Sequence, residues 1–140
     1  MANRILVPMD GSDAALRALE HAESRKRTAS GDVSVIVLNV QMPLPPSRYV
    51  TRTMIREHSS RSSLAALRPA RTLARRLKLD ARFYSRRGDP ATVVARFAKA
   101  KNCGEIIMGT RGRGRTAVFV LGSVALRVVQ RAPLPITLVK

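Results

Sequence analysis

The segment VSVIVLNV, residues 33–40, constrains the fold more than any other part of this chain. A strand with one wet face alternates apolar and polar residues. A run of β-branched, apolar side chains at consecutive positions instead needs cover on both faces, the pattern of a parallel strand sandwiched between helices. RILVP, residues 4–8, has the same character. Between the two, GSDAALRALEHAESRKR reads as a helix. Ser12 is its candidate N-cap, Asp13 lies in the first turn, Ala15, Leu16, Leu19 and Ala22 share a face, and basic residues sit at the far end. The opening is therefore β-α-β.

The alternation continues. QMPLPPSR, with Pro43, Pro45 and Pro46, reads as an extended loop. From Thr51 to Leu79 the composition is helical, with an apolar stripe of Leu64, Leu67, Ala70, Leu73, Ala74 and Leu77 and a predicted kink or split at Pro69. DARFYSRRG, residues 80–88, reads as a third strand. Next comes a helix with Asp89 as N-cap, Pro90 at the first helical position and Val93, Val94 and Phe97 facing inward. GEIIMG is a buried fourth strand, SVALRVVQRA a helix stopped by Pro133, and LPITLVK a last strand. This order predicts an α/β sandwich around an open, mostly parallel five-stranded sheet. At 140 residues and 45% hydrophobic, the chain suits one domain with a substantial core.

Composition excludes several classes. A single cysteine, Cys103, permits no internal disulfide framework and reads as a small buried hydrophobe; His21 and His58 form no zinc-binding spacing. The first ten residues are too weakly apolar for a signal peptide, and no apolar span approaches the length of a membrane helix. A soluble cytoplasmic protein is the expectation. The formal charge of +17 is uneven: residues 1–40 hold five basic and five acidic side chains, whereas residues 48–87 hold twelve basic and two acidic. Such a segment, together with Arg111, Arg113 and Arg115, suits a nucleic acid or another polyanion, including an acidic protein, or else an arginine-rich solvated face. Two tyrosines and three phenylalanines offer little platform for base stacking, so nucleic-acid binding would act through phosphates.

In an open parallel sheet, ligands bind beyond the carboxyl ends of the strands where the strand order reverses. Two loops qualify here: PMDGS after the first strand and the start of GTRGRGRTAVFVLGS, residues 109–123, after the fourth. GTRGRGRT approaches the phosphate-loop pattern G-x-x-x-x-G-K-[ST], but Arg115 replaces the lysine and no acidic residue follows Glu105. GRGRTA meets the relaxed dinucleotide pattern, again without a downstream acid for the ribose. A longer spacing is more informative: Gly109, two residues, Gly112, nine residues, then Gly122 and Ser123 at the start of a helix whose positive end favours phosphate.

With ILVPMDGS in front and APLPITLVK at the end, this spacing resembles the ATP-binding branch of the universal stress protein family, from Arg4 to Val139. The resemblance implies a Rossmann-like fold of the adenine nucleotide alpha hydrolase type, with strand order 3-2-1-4-5. It implies an ATP site in which Asp10, flanked by Pro8 and Met9, lies near the nucleotide and the backbone of Val40 contacts adenine. Met108, Gly109, Arg111 and Gly112 match the ribose and phosphate loop, and Gly122, Ser123 and Val124 match the segment closing over the phosphates. Asp10 is a possible Mg2+ (or Mn2+) ligand; the alternative role is to organise its own loop. Arg113 and Arg115 either strengthen phosphate binding or point to solvent. The last strand, 134–139, implies a homodimer.

No nucleophile and base pair is legible, since Asp10 is the one acid placed in the pocket and neither histidine is near it in the predicted elements. The expectation is a nucleotide-binding stress-response regulator rather than an enzyme, with slow ATP hydrolysis left open.

Overall fold

The computed structural model describes residues 3–45, 47–111 and 121–140. Five strands, β1 (Arg4–Pro8), β2 (Ser34–Gln41), β3 (Ala81–Arg87), β4 (Glu105–Gly109) and β5 (Ile136–Val139), alternate with four helices. These are α1 (Asp13–Thr28), α2 (Arg52–Arg76), α3 (Pro90–Ala100) and α4 (Ser123–Arg131). All strands pair in parallel, in the order β3-β2-β1-β4-β5.

Side-chain alternation divides the apolar strands between two cores. Ile5, Val7, Val35, Val37 and Ile107 face α1 and α2, packing on Leu19, Leu67, Ala70 and Leu73. Leu6, Ile36, Leu38, Ile106 and Met108 face α3 and α4, packing on Val94, Phe97, Ala125 and Val128. Both faces of the central strands are therefore dry, which is why VSVIVLNV and EIIMG are apolar at successive positions.

The predicted caps are in place: Ser12 accepts the Ala15 amide and Asp89 the Thr92 amide, with Pro90 opening α3. Three expectations need correction. Helix α2 is not split at Pro69 but runs as one 25-residue element. The proline removes a backbone donor, and the helix is held by its buried face of Leu67, Ala70, Leu73 and Ala74 on either side. Leu64 does not join that face and is 62% exposed; its place is taken by Ser63 and Ala66. The last strand is Ile136–Val139, shorter than 134–139, since it begins after Pro135, whose missing amide cannot enter a ladder.

Candidate functional site

Strands β1 and β4 are neighbours in the sheet, yet β1 continues into α1 on one face and β4 leads to α4 on the other. Their carboxyl ends diverge, and a cleft of about 360 Å³ opens between them. Pro8, Met9, Asp10, Val40, Met108, Gly109, Arg111, Gly122, Ser123 and Val124 all line it. Gly112, Arg113 and Arg115 lie outside the described residues. The sequence reading did not assign Ala15, Leu38, Pro90, Val94, Thr110 and Ala125 to the site, although they line the cleft too. Helix α3 contributes because it packs beside α4, a proximity that motif spacing does not carry.

One wall is a strand edge. Leu38 accepts a hydrogen bond from the Met9 amide at 2.8 Å, so its polar groups face β1; Gln41 accepts from Gly88 at 3.0 Å, so its groups face β3. Alternation turns the N–H and C=O of Val40 toward the β1 side, beyond the last β1 pairing of Pro8 with Leu38. A donor and an acceptor two atoms of chain apart at the rim of an apolar slot can read the edge of a heterocyclic base.

The loop carrying Asp10 is held from both sides. Gly11 has φ +84, which favours glycine, and a Cβ there would approach the Ala66 carbonyl to 3.1 Å. One Asp10 oxygen, Oδ1, accepts the Ser12 amide at 2.9 Å, leaving Oδ2 for another partner. Beneath the loop, Asn39 is buried and its Nδ2 donates to the Met9 carbonyl at 2.7 Å, while its Oδ1 accepts from Gln41. Asn39 was missed, although a lone amide inside an otherwise apolar strand signals a buried hydrogen bond.

Gly109 has a packing duty of its own. A Cβ there would lie 2.8 Å from Ala14 Cβ and 2.9 Å from Ala14 carbonyl carbon, so the glycine lets β4 approach the first turn of α1. Thr110 then joins both ends of the following segment: its amide donates to Val139 and its carbonyl accepts from Gly122 at 2.7 Å. The chain thus leaves and re-enters the cleft at one point. Gly122 caps α4 without a side-chain hydrogen bond, and Ser123, Val124 and Ala125 of the first turn line the cleft.

Asp89 ties α3 to α4. It pairs with Arg127 and Arg131, and it accepts from Thr92, whose hydroxyl is the largest influence holding the carboxyl far below the usual carboxylate range, followed by Arg127. Glu105, at the other end of β4, binds Arg25 and Thr137 away from the cleft. Cys103 is half-buried against the α3/α4 core, and burial pushes its thiol pKa up. His21 and His58 are exposed.

Asp10 is the one carboxylate lining the cleft, and no group of three or more His, Cys, Asp or Glu able to hold a metal occurs among the described residues. An Mg2+ ion here would need phosphate oxygens to complete its shell, the usual manner for that ion. The basic residues of α2 and β3 form no ion pairs among the described residues, whose pairs use Arg25, Arg27, Arg127 and Arg131. Cations already cover the aromatic faces nearby: Arg71 lies over Phe83 and Lys101 over Tyr84. No helix among the described residues is long and apolar enough to cross a membrane.

Comparison with known proteins agrees with this architecture. The model of the universal stress protein family matches residues 1–140. A universal stress protein of Methanocaldococcus jannaschii is 29% identical over 142 residues, covering 98% of this chain and 81% of the relative. Among solved structures, the universal stress protein UspA from Lactobacillus plantarum superposes with a TM-score of 0.83 at 20% identity, covering 100% of this chain and 99% of the other. The universal stress protein from Archaeoglobus fulgidus in complex with dAMP gives 0.67 at 22% identity, covering 100% and 98%.

Proposed function

The chain belongs to the universal stress protein family, and from that membership and the shape of the cleft we propose that it binds an adenine nucleotide, ATP foremost, and acts as a nucleotide-dependent stress-response regulator. The observation that carries the proposal is the convergence of Val40, Asp10 and the α4 N-terminus on one cleft at the strand-order reversal. Its size falls in the range of small-molecule sites. The apolar slot beside Val40 suits adenine, and Gly109, Arg111 and the α4 amides suit ribose and phosphates, with Gly112 as a further contact in the same motif. The A. fulgidus relative is itself a dAMP complex, which supports the adenine assignment.

Asp10 would hold Mg2+ through Oδ2 together with the phosphates; bound there, the ion would neutralise phosphate charge. The residues of the chain bind and orient: the Val40 backbone reads the base, Asn39 and Ser12 keep Asp10 in register, and Arg111 adds positive charge. We read the protein as a binder rather than a catalyst, because Asp10 has no histidine, lysine or cysteine beside it among the described cleft residues. We place it in the cytoplasm as one domain, homodimeric through the outer edge of β5.

Mass spectrometry of nucleotide released from the purified protein, followed by calorimetric titration with ATP and Mg2+, tests the reading. A folded protein that binds no adenine nucleotide across magnesium and pH conditions would sink it. Gly122→Lys is the control: Gly122 has φ −61 and ψ 153, a conformation any residue adopts, so the fold should survive while the lysine side chain obstructs the cleft mouth.

A further inference from the structure

We propose a second oxyanion site, independent of the nucleotide reading, in the hollow between the first half of α2 and the end of β3. Its ligand is a phosphate group, carried by the free ion or by a small phosphomonoester. The hollow, about 370 Å³, is lined by Ser59, Ser60, Ser85, Arg86 and Arg87 and, among the described residues, shares no lining residue with the nucleotide cleft.

The reason to look there is a break in the chemistry of α2. Its sheet-facing side is apolar over Ala66–Ala74, but one and two turns earlier the same side carries Ser63 and Ser59, at 3% and 5% exposure. Hydroxyls at such positions are costly unless paired. Among the described residues, Ser63 Oγ is a buried side-chain polar atom with no hydrogen-bond partner. Ser59, one turn away, lines the hollow.

Strand alternation sorts the arginines. Phe83 packs in the α1/α2 core and Tyr84 in the α3/α4 core, so Ser85 and Arg87 share the α2 side with Phe83. Arg86 turns away: its guanidinium lies over the Tyr84 and Phe97 rings at 5.6 and 5.3 Å and donates to the Ser85 carbonyl. Arg87 is then the cation of the hollow, and it forms no ion pair among the described residues. An adjoining groove shares Arg87 and adds Arg52 and Arg56 beside Pro43, Leu44 and Ile55. Arg52 and Arg56 add to the positive potential beside the hollow. Glu57, the acidic residue of this half of α2, sits about 200° round the helix from Ser59 and is not among the residues lining the hollow. Three serines and an uncommitted guanidinium fork match the acceptor-only, multiply charged surface of phosphate.

The test is a titration of the full-length, 15N-labelled chain with inorganic phosphate, and in parallel with glycerol 3-phosphate, at ionic strength held constant with sodium chloride. Saturable shifts of the Ser59, Ser60, Ser85 and Arg87 amides are expected. Arg87→Gln should weaken that binding about tenfold or more, and Ser85→Ala by a smaller factor. Both positions are exposed, so both variants should keep the fold, and shifts at the Gly109 and Ser123 amides on adding ATP should be unchanged. Tighter binding of either probe assigns the carrier of the phosphate group. Shifts that stay linear, or a dissociation constant within about twofold of the parent in both variants, would overturn the proposal.

Discussion

Asn39 Nδ2 donates to the carbonyl of Met9 at 2.7 Å, joining the interior of β2 to the residue immediately before Asp10. Because Asn39 is 2% exposed, neither group has water as an alternative partner. Asn39→Leu should therefore destabilise the fold by about 1–3 kcal/mol, the cost of a buried carbonyl left without its donor. It should also weaken ATP binding, since Asp10 loses its register. Urea unfolding and calorimetry read the two effects separately; a stability loss with unaltered affinity would show that the Asp10 loop is set by Gly11 and Ser12 alone.

The metal role of Asp10 is separable from its loop role. Asparagine retains an oxygen for the Ser12 amide, now held at 2.9 Å, but removes the charge. Asp10→Asn should lower ATP affinity about three- to tenfold in Mg2+ and leave it nearly unchanged in EDTA. Equal losses with and without the ion would assign Asp10 to loop organisation.

Gly109→Ala should be destabilising although alanine is the smallest possible change. The added carbon meets Ala14 backbone at 2.9 Å, so α1 or β4 must move, at a cost of about 1–3 kcal/mol by analogy with overpacked cores. The thermal midpoint of the nucleotide-free protein is the measurement, which isolates packing from binding.

Asp89 predicts an acid limb to the stability profile. Its folded pKa is depressed below the ordinary 3.8, so under acid the unfolded chain takes up the proton first. The stabilisation is fully present above that ordinary value and is lost as pH falls below it. Asp89→Asn should flatten the dependence of the urea midpoint between about pH 2 and pH 4, and Arg127→Gln should reduce it. Because α3 and α4 both wall the cleft, nucleotide affinity should weaken in the same variants.

The β5 edge carries an exposed Leu138 in an outer strand. Leu138→Lys should convert the proposed dimer to monomer in sedimentation, since edge lysines oppose strand pairing. A parent protein that sediments as a monomer at high concentration would remove the dimer.

The order of elements, the two-sided burial of β1, β2 and β4 and the caps at Ser12 and Asp89 were legible because each is a local pattern: consecutive apolar residues, helical periodicity, a side chain reaching its own first turn. The spacing from Gly109 to Ser123 likewise marked where to look. Tertiary structure alone decided what those residues meet. Gly109, which lines the cleft, is demanded by the approach of α1; Asp89 caps its own helix and also clamps Arg127 of another; α2 passes Pro69 unbroken on a buried face that includes Ser63 in place of Leu64. Such contacts join residues from distant parts of the chain, and their energies depend on distances of a few ångströms that no single stretch of sequence encodes.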